Sequence, residues 1–150
     1  MQLIYNIRHG ETEANVNGQV NDKSVITPIN KKGKLQSIKT GKYLKKEHQL
    51  TNKNCIIYSS PSIRAFETAE LIAKELGIKN HNIIKDERIN ELDHGLLSGS
   101  KESDSINKQY MIEFNKLPKD PIKLELSFEN FDKFTEKKFK TEPMLCIKKE

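Results

Sequence analysis

Short apolar runs alternate with longer amphipathic stretches along this chain. One run occupies residues 2–7 and ends in a polar segment containing glycine, and a similar run occupies residues 55–58. Such runs are typical of buried strands. The stretches that follow repeat apolar residues every three to four positions, which is the period of a helix with one buried face. The alternation predicts an α/β fold with a mainly parallel sheet.

The first long amphipathic stretch predicts a helix from Asn30 to about residue 47. Asn30 has a side chain suited to an N-cap. Within the helix, Leu35, Ile38 and Leu44 are expected to face inward. The segment before it predicts a short helix or turn over residues 11–16.

The second amphipathic stretch predicts a helix capped by Ser60, with Pro61 at its first position and Gly77 as its C-cap. Its apolar face is expected to contain Ile63, Phe66, Ala69, Ile72 and Leu76. Weaker patterns predict a third strand over residues 82–85 and further helices over residues 100–116 and 128–140.

Composition narrows the class of protein. Charged residues make up 31% of the 150 residues, and no apolar stretch is long enough to span a membrane. We therefore expect a single domain over residues 1–150, located in the cytoplasm, with no membrane partner. Cys55 and Cys146 are expected to be buried free thiols, and no spacing suggests a zinc site.

The net charge of +5 favours anionic partners, although a lysine-rich solvated surface is the simpler explanation. Nucleic acid is a less favoured partner, because no arginine–aromatic stripe suggests base stacking. The chain contains three arginines. Arg8 and Arg64 lie within motif segments described below, and Arg88 directly precedes another. In a chain this rich in lysine, arginine is favoured where the geometry of lysine fails, as in bidentate contact with phosphate. The sequence carries no indication of oligomeric state.

The most informative motif is Arg8-His9-Gly10-Glu11-Thr12, directly after the first predicted strand. Ligands in open α/β sheets bind at the carboxyl ends of strands. Arginine supplies a planar fork of donors for phosphate oxygens, and a neutral histidine can act as a nucleophile. The motif therefore predicts a phosphate site.

This motif, with Asn15, resembles the first signature of the histidine phosphatase superfamily, the phosphoglycerate mutase-like phosphohydrolases. Further segments that resemble this family, in order, occupy residues 27–33, 58–65, 89–95 and 127–131, so that the likeness covers roughly residues 1–135. The resemblance implies a three-layer α/β/α fold and hydrolysis of phosphomonoesters. The expected substrate is a phosphorylated small molecule or a phosphoprotein.

The resemblance also implies roles for individual residues. His9 would be the nucleophile that forms a phosphohistidine, without a metal or other cofactor. Arg8 and Arg64 would clamp the phosphoryl group, Asn15 would contact it, and Glu91 would be the general acid and base. His94 is expected to be a packing or rim residue.

Each of these residues also has a purely structural interpretation. His9 could cap a strand end, and Asn15 could form an Asx-turn. Arg64 could pair with Glu67 or Glu11 on the surface. Glu91 could pair with Arg88 in a loop.

The second catalytic histidine of the family, in a later His-Gly motif, has no counterpart here. A late apolar run over residues 144–147 could be the equivalent strand, but Lys148-Lys149 stands where His-Gly is expected. We therefore expect a C-terminally shortened or catalytically altered member. An inactive phosphate-binding remnant is the main alternative function, and a mutase or a nucleic-acid-binding protein is less favoured.

Overall fold

The computed structural model describes residues 3–22, 24–91, 94, 97–101, 103–105, 108 and the backbone of 144–149. The predicted elements that fall on residues 109–143, including the helix over 128–140 and most of that over 100–116, lie outside this part of the chain. Within the described residues, no helix is long and apolar enough to cross a membrane.

Four strands form one sheet in the order β1-β4-β2-β3. They are β1 (Leu3–Arg8), β2 (Cys55–Ser59), β3 (Ile84–Lys85) and β4 (Met144–Lys149). Strands β2 and β3 are parallel, and β4 is antiparallel to both β1 and β2. Three of the four strands therefore share one direction, as the expected mainly parallel sheet requires, and β4 is the exception.

The direction of β4 changes the interpretation of the late apolar run. The predicted strand is present and extends to Lys149, but Met144 pairs with Arg8, and Lys149 pairs with Leu3. The Lys148-Lys149 pair consequently lies at the end of β1 opposite His9. The backbone of an apolar run can form a ladder of hydrogen bonds in either direction, so the apolar pattern does not encode orientation.

The helices are α1 (Glu13–Val16), α2 (Lys31–Glu47) and α3 (Ile63–Leu76). The predicted cap of α2 is confirmed, because the side chain of Asn30 accepts a hydrogen bond from the Gly33 amide at 2.8 Å. The predicted C-cap of α3 is confirmed too, since Gly77 has the left-handed φ of 74° that favours glycine.

The predicted start of α3 is wrong by two residues. Ser62 is the N-cap, and the helix begins at Ile63. The hydroxyl of Ser60 accepts from the Ser62 amide at 3.2 Å and donates to the side chain of Asn90 at 2.7 Å. The Ser60 side chain therefore joins the end of β2 to the segment around Asn90 instead of capping α3. The local sequence does not indicate this long-range contact.

The core lies between α2, α3 and the sheet, with Leu44, Leu50, Ile57, Ile72 and Leu76 among its buried residues. Two predicted inward positions are wrong: the side chains of Leu35 and Ile63 are 60% and 41% exposed. In α2 the buried face is formed by Gly33, Ser37, Gly41 and Leu44. Small residues occupy it because α2 packs closely against α3 and against the loop after β1.

Candidate active site

His9 lies directly after β1 and is only 5% exposed. Its Nδ1 atom is 2.7 Å from the carbonyl oxygen of Gly10. A carbonyl oxygen can only accept a hydrogen bond, so Nδ1 carries the proton and Nε2 carries the lone pair. The ring is thus held with Nε2 as its basic, nucleophilic atom.

The surroundings of His9 keep its imidazole neutral. Burial lowers its pKa from 6.5 to about 4, in spite of the hydrogen bond to Gly10, which favours the protonated ring. The positive charges of Arg64 and Arg8 lower the pKa further. At neutral pH the imidazole is therefore available as a nucleophile in a positive field.

The loop that carries His9 is held by α3 and α2. The amide of Gly10 donates to the hydroxyl of Thr68 at 2.9 Å, and that hydroxyl donates to the carbonyl oxygen of Arg64 at 2.8 Å. Gly10 also lies against the backbone of Gly33 in the first turn of α2. The backbone around His9 is therefore anchored to two helices.

Arg64 is fully buried in the first turn of α3. Its Nη1 donates to the carbonyl of Val25 at 3.1 Å, and its Nη2 donates to the carbonyls of Asn21 and Asp22 at 3.2 and 3.0 Å. Its Nε–H has no hydrogen-bond acceptor within the described residues. Burial lowers the pKa of the guanidinium, and the carboxylates of Glu91 and Asp22 oppose this shift.

The surface pairing considered for Arg64 is wrong. The carboxylate of Glu67 accepts from the amide of Ile29 at 2.9 Å, and that of Glu11 pairs with Lys32 at 2.8 Å. Both carboxylates thus hold the backbone or surface around α2, while Arg64 donates to the carbonyls of Asn21, Asp22 and Val25.

Glu91 is 6% exposed, and its charge acts on Arg64. The Ser60–Asn90 hydrogen bond connects the residue before it to the end of β2. Arg8 is exposed at the end of β1, and its charge acts on His9. The charges of Arg64 and Arg8 therefore act on His9, and the charge of Glu91 acts on Arg64. The catalytic roles of these four residues stay a prediction.

Asn15 serves a structural purpose. Its side-chain oxygen accepts from the backbone amide and the hydroxyl of Thr12, at 3.1 and 2.9 Å. The amide of Asn15 in turn donates to the Thr12 hydroxyl at 3.2 Å, which completes a capping box on α1. The alternative interpretation of this residue, a local turn role, is of the same structural kind. The capping box uses the side-chain oxygen of Asn15. A contact between the side-chain nitrogen of Asn15 and the substrate stays a prediction.

The other histidines have different surroundings. His48 ends α2 and its Nδ1 lies 3.1 Å from the hydroxyl of Tyr5. Since α2 rises about 1.5 Å per residue, His48 is about 22 Å along the helix from Gly33, which contacts the His9 loop. His81 is exposed in a short 3₁₀ helix. The amide of His94 donates to Asp22 at 2.9 Å.

Sequence reasoning missed two buried residues of this region, Asp22 and Thr68. Asp22 lies in a polar loop, where an acidic residue is usually solvated, and no local pattern marks it. Thr68 follows Arg64 by one helical turn, which is the only signal that it faces the same loop. Within the described residues, no three histidine, cysteine or acidic side chains converge to hold a metal ion.

Comparison with known proteins identifies the family of this chain. Residues 4–138 match the histidine phosphatase superfamily (branch 1). Phosphoserine phosphatase 1 from Hydrogenobacter thermophilus is 34% identical over 120 residues, which are 79% of this chain and 52% of that protein. The 2,3-bisphosphoglycerate-dependent phosphoglycerate mutase from Thermoplasma acidophilum is 34% identical over 110 residues, 73% of this chain and 51% of that protein.

Solved structures agree with these relatives. Bacillus stearothermophilus YhfR superposes with a TM-score of 0.59 at 32% identity, covering 76% of this chain and 51% of that one. The expected phosphoglycerate mutase-like α/β fold is thereby confirmed. The chain spans about half the length of the curated relatives it matches. It belongs to the histidine phosphatase superfamily.

Proposed function

We propose that this protein hydrolyses phosphomonoesters through a phosphohistidine on His9. The observation that carries this proposal is the buried, neutral imidazole of His9, with its Nδ1–H held by Gly10 and two arginine charges acting on it. A neutral Nε2 beside cationic groups is suited to attack phosphorus in a dianionic ester. The phosphatases among the relatives support the same class of reaction.

In the first step, Nε2 of His9 forms a bond to phosphorus while the bond to the leaving oxygen breaks. Glu91, which is protonated in the form that reacts, donates its proton to that oxygen, so the alcohol leaves neutral. In the second step, water attacks phosphorus, Glu91 takes a proton from the water, and the N–P bond breaks. Inorganic phosphate leaves, and His9 and Glu91 regain their initial protonation states.

Arg64 and Arg8 would stabilise the charge on the equatorial phosphoryl oxygens. The Nε–H of Arg64 is buried without an acceptor among the described residues, and an oxyanion would satisfy it. These two cations are the reason to propose that the reaction needs no metal or other cofactor. The substrate class is a phosphorylated small molecule or a phosphoprotein, acted on in the cytoplasm by a single domain.

The test is hydrolysis of p-nitrophenyl phosphate by the full chain in the presence of a chelator. Three proteins are compared: the parent, His9→Ala, and His81→Ala as a matched control at an exposed histidine. We expect activity in the parent and the control and none above background in His9→Ala, with equal circular dichroism for all three. Full activity in folded His9→Ala, or loss of parent activity on chelation, contradicts the proposal.

A catalytically impaired phosphate-binding remnant is the second candidate, and one observation favours it. Strand β4 lies between β1 and β2 and contains no histidine, so it adds no imidazole donor beside His9. The loss of one transition-state donor typically costs about 10²–10³ in rate. Binding of orthovanadate by the parent without measurable turnover, and loss of that binding in His9→Ala, would favour the remnant.

A further inference from the structure

Asp22 accepts hydrogen bonds from two separate segments while fully buried. One carboxylate oxygen accepts from the amide and hydroxyl of Ser24, at 2.9 and 2.7 Å. The other accepts from the amide of His94 at 2.9 Å and from the hydroxyl of Ser98. Both oxygens of the carboxylate are thus engaged, and the loop after α1 is joined to the segment after Glu91.

The same two segments are joined by backbone hydrogen bonds. The amide of Val20 donates to the carbonyl of Ser100, and the amide of Gly99 donates to the carbonyl of Val20, both at 2.9 Å. Together with Asp22 these bonds make one unit of residues 20–22, 24, 25, 94 and 97–100, which we name the loop clasp. Asp22 is the charged group at the centre of the clasp.

The loop clasp determines where the Arg64 guanidinium lies. The carbonyls that accept from Nη1 and Nη2 belong to Asn21, Asp22 and Val25, all within the part of the chain that Asp22 fixes. The negative charge of Asp22 also stabilises the cationic form of Arg64. Arg64 is therefore oriented by backbone carbonyls whose own positions depend on one buried carboxylate.

We propose that Asp22 is a positioning residue, which fixes the loop clasp so that Arg64 presents its guanidinium to the phosphoryl group beside His9. The proposal rests on the proposed phosphate chemistry of His9 and Arg64. Asp22 does not touch the substrate; it acts through Arg64. Misplacing a catalytic group by about 1 Å can cost about 100-fold in rate, so the contribution of Asp22 is measurable.

The test compares Asp22→Asn with Asp104→Asn in the full chain. Asp104 is an exposed aspartate whose side chain accepts from the Lys101 amide at 3.0 Å, so the control makes the same chemical change. In Asp22→Asn one oxygen becomes an NH₂ group, which cannot accept from the donors that faced it. The readouts are kcat and KM for p-nitrophenyl phosphate and, independently of turnover, the binding of orthovanadate.

We expect Asp22→Asn to lower kcat by about 10-fold to 100-fold, with KM changing by less than about threefold, because the charge that Arg64 stabilises develops in the transition state. Orthovanadate binding is expected to weaken by about tenfold or more, and Asp104→Asn is expected to stay within about twofold of the parent in both readouts. If Asp22→Asn fails to fold, Ser98→Ala removes one of the four donors, and we expect about a threefold loss of vanadate binding.

The outcomes separate this inference from the proposed function. If the parent binds orthovanadate but shows no turnover, the proposed hydrolase activity is wrong. The role of Asp22 is then tested by vanadate binding alone, through the comparison of Asp22→Asn with the parent. A lower melting temperature in Asp22→Asn with kcat and vanadate binding unchanged at 20 °C would overturn it, since Asp22 would then be structural only. A parent that neither hydrolyses nor binds vanadate overturns both.

Discussion

Gly10 and Gly33 lie so close together that a Cβ atom on Gly10 would be 2.5 Å from the carbonyl oxygen of Gly33. A Cβ atom on Gly33 would in turn collide with the carbonyl of Glu11. The obstacles are backbone atoms, which cannot move aside as a flexible side chain can. The loop that carries His9 and the first turn of α2 can therefore pack in this way only with glycine at both positions.

The contact predicts the effect of Gly33→Ala. Overpacking against backbone typically costs about 1–3 kcal/mol, so we expect a lower melting temperature and a displaced His9 loop with reduced phosphatase activity. Gly41→Ala is the control for activity, because its Cβ would meet Glu75 and the backbone of Ile72 on α3, away from this loop, so that we expect lower stability without the loss of activity. Gly33→Ala with full activity and unchanged stability would contradict the packing argument.

Thr68→Val should weaken both the stability and the site. Valine has nearly the shape of threonine but cannot accept from the buried Gly10 amide, and a buried unsatisfied donor costs about 1–3 kcal/mol. We expect a melting temperature several degrees lower and a loss of p-nitrophenyl phosphate hydrolysis. The control is Thr51→Val, which precedes the first residue of β2, and its loss of hydrolysis should be smaller. Equal activities in the two variants would remove the role of Thr68 in holding the loop.

The pKa of His9 predicts how stability depends on pH. In the folded protein this pKa is lowered from 6.5 to about 4, so between these values the unfolded chain binds more protons at this position. The contribution of His9 to stability is therefore lost as pH falls, by up to about 3 kcal/mol between pH 6.5 and 4. Urea unfolding of the parent and His9→Asn at several pH values measures the difference.

The expected result is that the stability of the parent relative to His9→Asn rises with pH over this range. His81→Asn, at an exposed site, should show no such slope relative to the parent. His9 should also stay mostly neutral at pH 5, where a histidine with a pKa of 6.5 is mostly protonated. We therefore expect the parent to keep its nucleophile at this pH. A parent whose stability relative to His9→Asn falls with rising pH would contradict the assignment.

Cys55 should be inert in the folded protein. Its thiol is buried in the core, and burial raises its pKa to about 11. Thiolate is the reactive form, so labelling by a disulfide reagent at pH 8 should be much slower than in guanidinium. The measurement uses Cys146→Ser, so that only Cys55 reports; native labelling as fast as in the unfolded chain would show that the thiol is accessible.

The helix caps and the first two strands could be predicted from the sequence. The cap of α2 at Asn30, the C-cap of α3 at Gly77 and the strands β1 and β2 all follow from turn chemistry and hydrophobic period, which act over a few residues. The errors have an equally physical origin. The apolar pattern predicts that Leu35 faces inward, but the helix buries its glycines where it approaches a neighbouring backbone.

The candidate site shows the same division. The sequence by itself determined the family and selected His9, Arg8, Arg64 and Glu91 as candidate site residues, because motif residues at strand and helix ends carry that information locally. Tertiary structure decided that Asp22 fixes the carbonyls that hold Arg64, that Thr68 holds Gly10, and that β4 runs antiparallel. These three features depend on hydrogen bonds between residues far apart in the chain. Neither the direction of strand pairing nor a long-range polar contact produces a periodic pattern in the sequence.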